Sequence, residues 1–301
     1  MTVLVVGESL VDVVTQADGD ESRRAGGSPF NVAIGLARLD VSTQLATLIG
    51  ADEDGQMLRS ALTGSGVDLV ELKPQPERTA TAVATIAADG SASYAFDIDW
   101  NPSELPDPAG FDAVHVGSIG AWLAPGAHEV AALTAKAAAA GIPLTFDPNI
   151  RLSIQDDLAE LRNRFDAIAP HATVIKMSDE DAAGLFPGRH LDDLASELAA
   201  MGPLVALTRG GEGALICAGR EIAYTSAPEI DVVDTIGAGD SFMAALVGGL
   251  AALSWERELD GHRLAGLGQL ATTAAAITCM RPGADPPRRS EVEDLFATLE
   301  A

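Results

Sequence analysis

The sequence predicts an α/β protein with a central, mostly parallel sheet and a smaller β element beside it. Three observations carry that expectation. Short, nearly all-apolar runs alternate with helical stretches, the pattern of parallel strands buried on both faces. The last third of the chain, from Ala238 to Met280, is mostly helical, as in sheets covered by helices on both sides. One pair of strand-like runs departs from the alternation and reads as an antiparallel hairpin.

Strands are expected at residues 3–7, 44–49, 113–117, 143–146, 174–177, 204–208 and 214–217. Helices are expected at 30–39, 56–62, 127–140, 158–165 and 191–201. The hairpin joins 79–87 to 91–96 through Ala88-Asp89-Gly90, and Asp-Gly is a strong hairpin turn. It is read as standing off the main sheet, where a small sheet beside an α/β body commonly acts as a lid. The alternative is an extra edge hairpin of the same sheet. A proline-bearing loop, 102–108, leads back to the body.

The chain has 301 residues, 47% hydrophobic and 21% charged, a globular composition. Its 19 basic against 44 acidic residues give a formal net charge of −25. Such a surface repels nucleic acid and anionic membranes, so neither is expected as a partner. The longest nearly apolar stretch, 242–253, is too short to span a bilayer. The N-terminus opens directly into a strand, with no basic region ahead of it, so a cytoplasmic location is expected. Cys217 and Cys279 lack metal-ligand spacing and are expected to be reduced. The five histidines are scattered, with no pair at ligand spacing.

The most informative segment is Asp234-Thr235-Ile236-Gly237-Ala238-Gly239-Asp240, which runs into an apolar helix. The N–H groups of Gly237, Ala238 and Gly239 would line a helix N-terminus and form an anion hole, aided by the helix dipole. Asp240 repels a phosphate there, so it either caps the helix or waits as a general base for a hydroxyl proton. The segment is not a P-loop, since no Gly-x-x-x-x-Gly-Lys-Ser/Thr occurs in the chain. It is not the dinucleotide fingerprint either, because it lacks the third glycine and comes too late. That argues against a dehydrogenase. The second segment is Gly26-Gly27-Ser28-Pro29-Phe30-Asn31-Val32-Ala33. Its glycines allow close approach to a ligand, Ser28 is a fair N-cap, and Pro29 suits the first helical position. The Asn31 amide can hydrogen-bond a hydroxyl, or the segment is an ordinary helix start.

Gly-Gly-x-x-x-Asn-x-Ala followed about two hundred residues later by Asp-Thr-x-Gly-Ala-Gly-Asp resembles the paired signatures of the ribokinase-like carbohydrate kinases, the phosphofructokinase-B family. Length, element order and hairpin position agree along the whole chain. The resemblance implies one three-layer kinase domain over 1–301, with a β lid from about 12–29 and 78–100. It implies transfer of the γ-phosphoryl of ATP to a sugar or nucleoside hydroxyl. Asp240 matches the family's catalytic base and Gly237-Ala238-Gly239 its anion hole. Asp12, Gly26, Gly27 and Asn31 match sugar contacts, and the lid is a dimer interface in many members, so a homodimer is expected. Weaker matches assign nucleotide binding to Ser178, Thr208, Gly210, Gly213 and Thr272. Ser178 and Asp181 stand where the family has Asn and Glu, and Asp181 is expected to order Mg²⁺-bound water, with Asp179 and Glu180 as alternatives. The loop around Arg281-Pro282-Gly283-Ala284, with the turn at Asp234 and Ile236, matches a monovalent cation site, possible K⁺ ligation falling mostly to backbone carbonyls such as that of Gly283.

The acceptor is narrowed by Asp147-Pro148-Asn149-Ile150-Arg151 at a strand end, where ligands of parallel sheets sit. This segment, and His115-Val116-Gly117-Ser118, resemble the fructokinase-like branch, so fructose is the leading acceptor. Arg151 is a substrate contact, a phosphate contact or a structural partner of Asp147. Ketodeoxygluconate would want a second cation, for which Arg78 is the nearby candidate. Ribose remains an alternative, as do nucleosides, since Tyr94, Phe96 and Trp100 offer aromatic faces. A non-catalytic sugar or nucleotide sensor is the reading from another class. With only three lysines, Lys73, Lys136 and Lys176, a lysine-centred phosphate clamp has few candidates.

Overall fold

Alternation along the first strand divides the protein into two cores. In β1 (Thr2–Val6), Val3 and Val5 enter one core while Leu4 and Val6 enter another, as the two-residue period of a strand requires. The computed structural model describes every residue except 17, 87–91, 257 and 301, and the side chains of all these but 92–94 and 300. The Ala88-Asp89-Gly90 turn therefore lies outside the described residues.

After β1 come β2 (Leu10–Thr15), β3 (Glu21–Gly26), α1 (Ser28–Arg38), β4 (Ser42–Thr47), α2 (Glu53–Ser65), β5 (Asp68–Glu71), β6 (Ala80–Ile86) and β7 (Ala92–Asp97). The middle of the chain holds β8 (Ala113–Gly117), α3 (Ser118–Trp122), α4 (Gly126–Ala139), β9 (Leu144–Asp147), α5 (Leu158–Ile168), β10 (Val174–Ser178), α6 (Asp179–Leu185) and α7 (Leu191–Ala200). It closes with β11 (Leu204–Thr208), β12 (Ala214–Ala218), β13 (Glu221–Thr225), α8 (Ala238–Ala252), α9 (Gly261–Cys279) and α10 (Glu293–Glu300).

Nine strands form the main sheet in the order β13-β12-β11-β10-β9-β8-β1-β4-β5. All neighbours from β5 to β11 are parallel, and only the β11–β12 and β12–β13 pairs are antiparallel. One face carries α1, α2, α8, α9 and α10 through Leu36, Leu58, Phe242, Leu267 and Phe296. The other carries α3 to α7 through Trp122, Val130, Phe165, Leu185 and Leu198. Helix α8 is buried from Asp240 to Leu250, consistent with its apolar sequence all round.

Parallel register places the strand ends in one row. Gly117 pairs with Asp147, and Ser178 with Thr208. A second, four-stranded sheet, β3-β2-β6-β7, leaves the body just after β1, at that same edge. The expected hairpin thus belongs to a separate sheet and is not an edge extension of the main one. It is tied to the start of α2, because Asp52 accepts hydrogen bonds from Thr79 N (2.9 Å) and Thr79 Oγ1 (2.5 Å), and Arg23 pairs with Asp54.

Trp100 is not part of the small sheet. It is 1% exposed within the core of α3 to α7, and a Cβ on Gly126 would stand 2.5 Å from its ring. Of the aromatic faces expected near the acceptor, Phe96 is half-buried and the Tyr94 side chain lies outside the described residues.

Candidate active site

The site grows from two loop-to-helix junctions facing each other. At the first, Gly27 is the N-cap of α1, with φ +106°. That left-handed backbone disfavours any residue with a Cβ, and a Cβ there would stand 2.8 Å from the Glu8 carbonyl oxygen. Gly27 rather than Ser28 therefore ends the loop. Ser28, expected as the cap, is the first helical residue and makes no capping bond.

At the second junction, Gly237 is the N-cap of α8, with φ +76°, pressed against Ala284, whose Cβ would be 2.5 Å from a Cβ on Gly237. Asp240 is the third residue of α8 and 8% exposed. No side chain caps this helix. The Asp240 carboxylate instead faces α1: Ser28 Oγ donates to Oδ1 at 2.6 Å and Asn31 Nδ2 donates to Oδ2 at 2.8 Å. The capping alternative is thereby removed, and Asn31 touches the carboxylate that was expected to act beside it.

Of the three amides expected to form the anion hole, that of Ala238 turns inward and donates to Thr235 O at 3.3 Å. The first-turn donors of a helix have no intrahelical acceptor, which leaves the N–H groups of Gly239 and Asp240 open beside that of Gly237 at the N-cap. Behind them is one of the three lysines. Lys176 Nζ would stand 3.0 Å from a Cβ on Gly239 and donates to Asp147 Oδ2 at 2.9 Å. Lys176 is 4% exposed and Asp147 fully buried. Burial opposes the Lys176 charge, yet Asp147, Asp181 and Asp240 outweigh it and hold the ammonium above its usual range. Asp147 Oδ1 has no partner. Asp147 thus pairs with Lys176 and not with Arg151, whose guanidinium bonds its neighbour Ile150 O at 3.1 Å.

Asp12, on β2, is half-buried and looks into the same space. A Cβ on Gly26 would be 2.3 Å from its Oδ2. Burial raises its pKa, Arg151 opposes that, and Asp240 adds to it. Asp12, Arg151 and Asp240 therefore share one electrostatic neighbourhood. Glu8, next to Gly27, is 3% exposed and accepts from Gly120 N at 2.8 Å. Burial pushes its carboxyl up to about 7, against hydrogen bonds from Gly120 and Ser118.

Several expected roles change. Asp181 is 3% exposed, with Oδ1 accepting from Ile150 N at 2.8 Å and Oδ2 from Ser178 N at 3.0 Å. With Ser178 Oγ accepting from Asp181 N, this is a capping box on α6. Both residues hold the strand end in shape, each already engaged in the capping box. Asp179 and Glu180 remain exposed beside them. Thr272 is 5% exposed and donates its hydroxyl proton to Gly268 O within α9 at 2.8 Å, which leaves the oxygen as an acceptor only. Thr208, Gly210 and Gly213 do share the strand-end row: Gly210 and Gly213 have φ +49° and +99°, and Gly213 O closes the turn on Arg209 N at 2.8 Å.

The Asp234 carboxylate is a clasp between the turn and the loop at 281–284. Ile236 N donates to it at 3.0 Å and Gly283 N at 2.8 Å, with Arg24 of β3 at 3.6 Å. Burial works against its charge, but these donors hold its pKa below the usual value. Gly283 O accepts from Asp285 N at 3.0 Å. The Asp234 carboxylate thus fastens the turn to the loop from within. Among the described residues, no group of three or more His, Cys, Asp or Glu side chains forms a metal cluster.

A carboxylate held between two side-chain donors, open helix-terminal amides and a buried ammonium suit transfer of an anionic group to an alcohol. The chain matches the model of the pfkB family carbohydrate kinases over residues 2–290. It belongs to that family. It is similar to fructokinase of Klebsiella pneumoniae, 30% identical over 95% of this chain and 98% of that protein. It is also similar to aminoimidazole riboside kinase of Salmonella typhimurium, 27% identical over 94% and 92% of the two chains. Among solved structures, a double mutant of fructokinase from Vibrio cholerae O395, in fructose, ADP and potassium ion bound form, superposes with a TM-score of 0.80 at 25% identity, covering 99% of this chain and 98% of that one. This chain is accordingly a carbohydrate kinase of the ribokinase-like fold, a phosphotransferase acting on a sugar. Among the described residues, no helix of this kinase is long and apolar enough to cross a membrane.

Proposed function

We propose that this carbohydrate kinase transfers the γ-phosphoryl group of ATP to fructose. The observation that carries the reading is the Asp240 carboxylate, fixed beside the open amides of α8 and in the electrostatic neighbourhood of Asp12. Asp12 and Arg151 orient the sugar, with Gly26 and Gly27 allowing it to lie close to the backbone. Asp240 accepts the acceptor hydroxyl's proton as that oxygen bonds to the γ-phosphorus and the bond to ADP breaks. The Gly239 and Asp240 amides and the Lys176 ammonium stabilise the charge that develops. Thr208, Gly210 and Gly213 support the nucleotide at the strand ends.

Mg²⁺ fits this site through Asp147, whose Oδ1 is buried without a partner and whose surroundings carry two further carboxylates. A water-mediated contact suits an ion that keeps several of its waters. When bound, Mg²⁺ neutralises phosphate charge in a protein of formal charge −25. A monovalent cation such as K⁺ is assigned to the backbone around Asp234, Ile236 and Gly283, where it shapes the turn. The small sheet acts as the lid that excludes water, and its outer face is the surface through which a homodimer would form.

Fructose is the leading acceptor, and the Trp100 ring, enclosed in a core, is withdrawn as a stacking face for a base-bearing one. A coupled ADP-release assay tests the reading against fructose, ribose, ketodeoxygluconate, adenosine, aminoimidazole riboside and fructose phosphates. The highest kcat/KM is expected for fructose. A clear preference for aminoimidazole riboside assigns the chain to that relative's activity, and binding without turnover of any sugar assigns it to a sensor.

A further inference from the structure

We propose that Ser28 is a positioning residue that keeps water away from the base, so that ATP is spent on sugar and not on hydrolysis. The inference rests on the reading of Asp240 as the base. Both Asp240 oxygens are held by protein donors, Ser28 Oγ at 2.6 Å and Asn31 Nδ2 at 2.8 Å. All three residues are 8% exposed. A hydroxyl donating to a carboxylate at this distance is among the stronger hydrogen bonds in proteins.

A base beside a phosphoryl group is a hazard in a kinase. Any water held against it is a small alcohol-like nucleophile, and its attack wastes ATP. The Ser28 oxygen fills the place next to Oδ1 that such a water would take. It cannot act in the water's stead, because it is tethered to the first residue of α1. That residue is fixed from behind by Gly27, whose backbone rests on the Glu8 carbonyl. Each carboxylate oxygen has a second lone pair; the sugar hydroxyl presented by Asp12 takes that place when sugar is bound, and Ser28 closes the remaining place beside Oδ1 to water. Serine is not required to start this helix, since it makes no capping bond there.

Removing the hydroxyl vacates about the volume of one water molecule. A water in that place gives a proton to Asp240 as its oxygen bonds to the γ-phosphorus and the bond to ADP breaks. The products are ADP and inorganic phosphate.

The test uses the full chain with MgATP. It compares phosphate release with formation of sugar phosphate, both at saturating concentration of whichever sugar the panel selects. Ser28→Ala is expected to raise the ratio of hydrolysis to sugar phosphorylation at least roughly tenfold, a modest share of what a general base contributes. Ser28→Thr keeps an oxygen at the same position and is expected to restore the low ratio. Ser28→Ala/Asp240→Asn is expected to lose the added hydrolysis. An unchanged ratio in Ser28→Ala, both rates falling together, or Ser28→Thr leaking as Ser28→Ala does would each overturn the inference. Asp240→Asn alone reports on the base: if it phosphorylates sugar normally, that reading fails, whereas an inactive Asp240→Asn with an unchanged Ser28→Ala ratio removes only the role of Ser28.

Discussion

Lys176 Nζ and Asp147 Oδ2 form an ion pair 2.9 Å apart, with side-chain exposures of 4% and 0%, directly behind the first turn of α8. The pair joins two neighbouring parallel strands, β9 and β10, at the edge where the reaction is proposed to occur. Removing one partner of a buried pair leaves an uncompensated charge, which costs more than the pair contributes.

Lys176→Met is therefore expected to lower unfolding stability by about 3–5 kcal/mol and to suppress turnover. The double variant Lys176→Met/Asp147→Asn should recover much of that stability without recovering activity. Urea unfolding with steady-state kinetics on the same preparations checks both outcomes. Equal stability of the single and double variants would show that the pair is not electrostatically coupled.

Glu8 provides a pH-dependent test. Its carboxyl is pushed up to about 7 in the folded protein, from 4.5. The folded state thus binds this proton more tightly than the unfolded state. Its contribution is fully present below pH 4.5 and is lost as pH rises through 7, up to roughly 3 kcal/mol. Glu8→Gln is expected to gain stability relative to the parent between pH 5 and 8, with the gain growing as pH rises. Parallel melting curves for the two proteins over that range would contradict the assignment.

Asp12 is expected to act on the sugar and not on the nucleotide. Asp12→Ala should raise the sugar KM at least roughly tenfold, as loss of hydrogen bonds to a bound hydroxyl would, and leave nucleotide binding intact. Sugar saturation curves and nucleotide titrations separate these effects. An unchanged sugar KM would remove Asp12 from the acceptor site.

Much of the main sheet was legible because its strands are short, apolar and bounded by turn residues. The expected 113–117 and 204–208 coincide with β8 and β11. Strand β5, Asp68-Leu69-Val70-Glu71, was not legible, because an edge strand does not need two apolar faces. Strand β3, with four exposed residues, escaped for the same reason. Asp240 and Asn31 were legible as types at a spacing, but their direct bond was not, since it joins helices 209 residues apart. Lys176 did leave a signal: a lysine between Ile175 and Met177 in a strand otherwise buried on both faces needs a buried partner. The local bonds of Asp181 and Thr272 were not legible either, because a helix start and a helix interior offer polar groups nearby acceptors and donors that only the folded chain shows.

The central claim is that Asp240 takes the proton of the acceptor hydroxyl, and Asp240→Asn tests it most directly. The substitution keeps the shape of the side chain but replaces the anionic acceptor. Its kcat with the preferred sugar is expected to fall at least roughly a hundredfold while nucleotide affinity, measured by titration, stays close to that of the parent. Near-normal turnover in that variant would contradict the account.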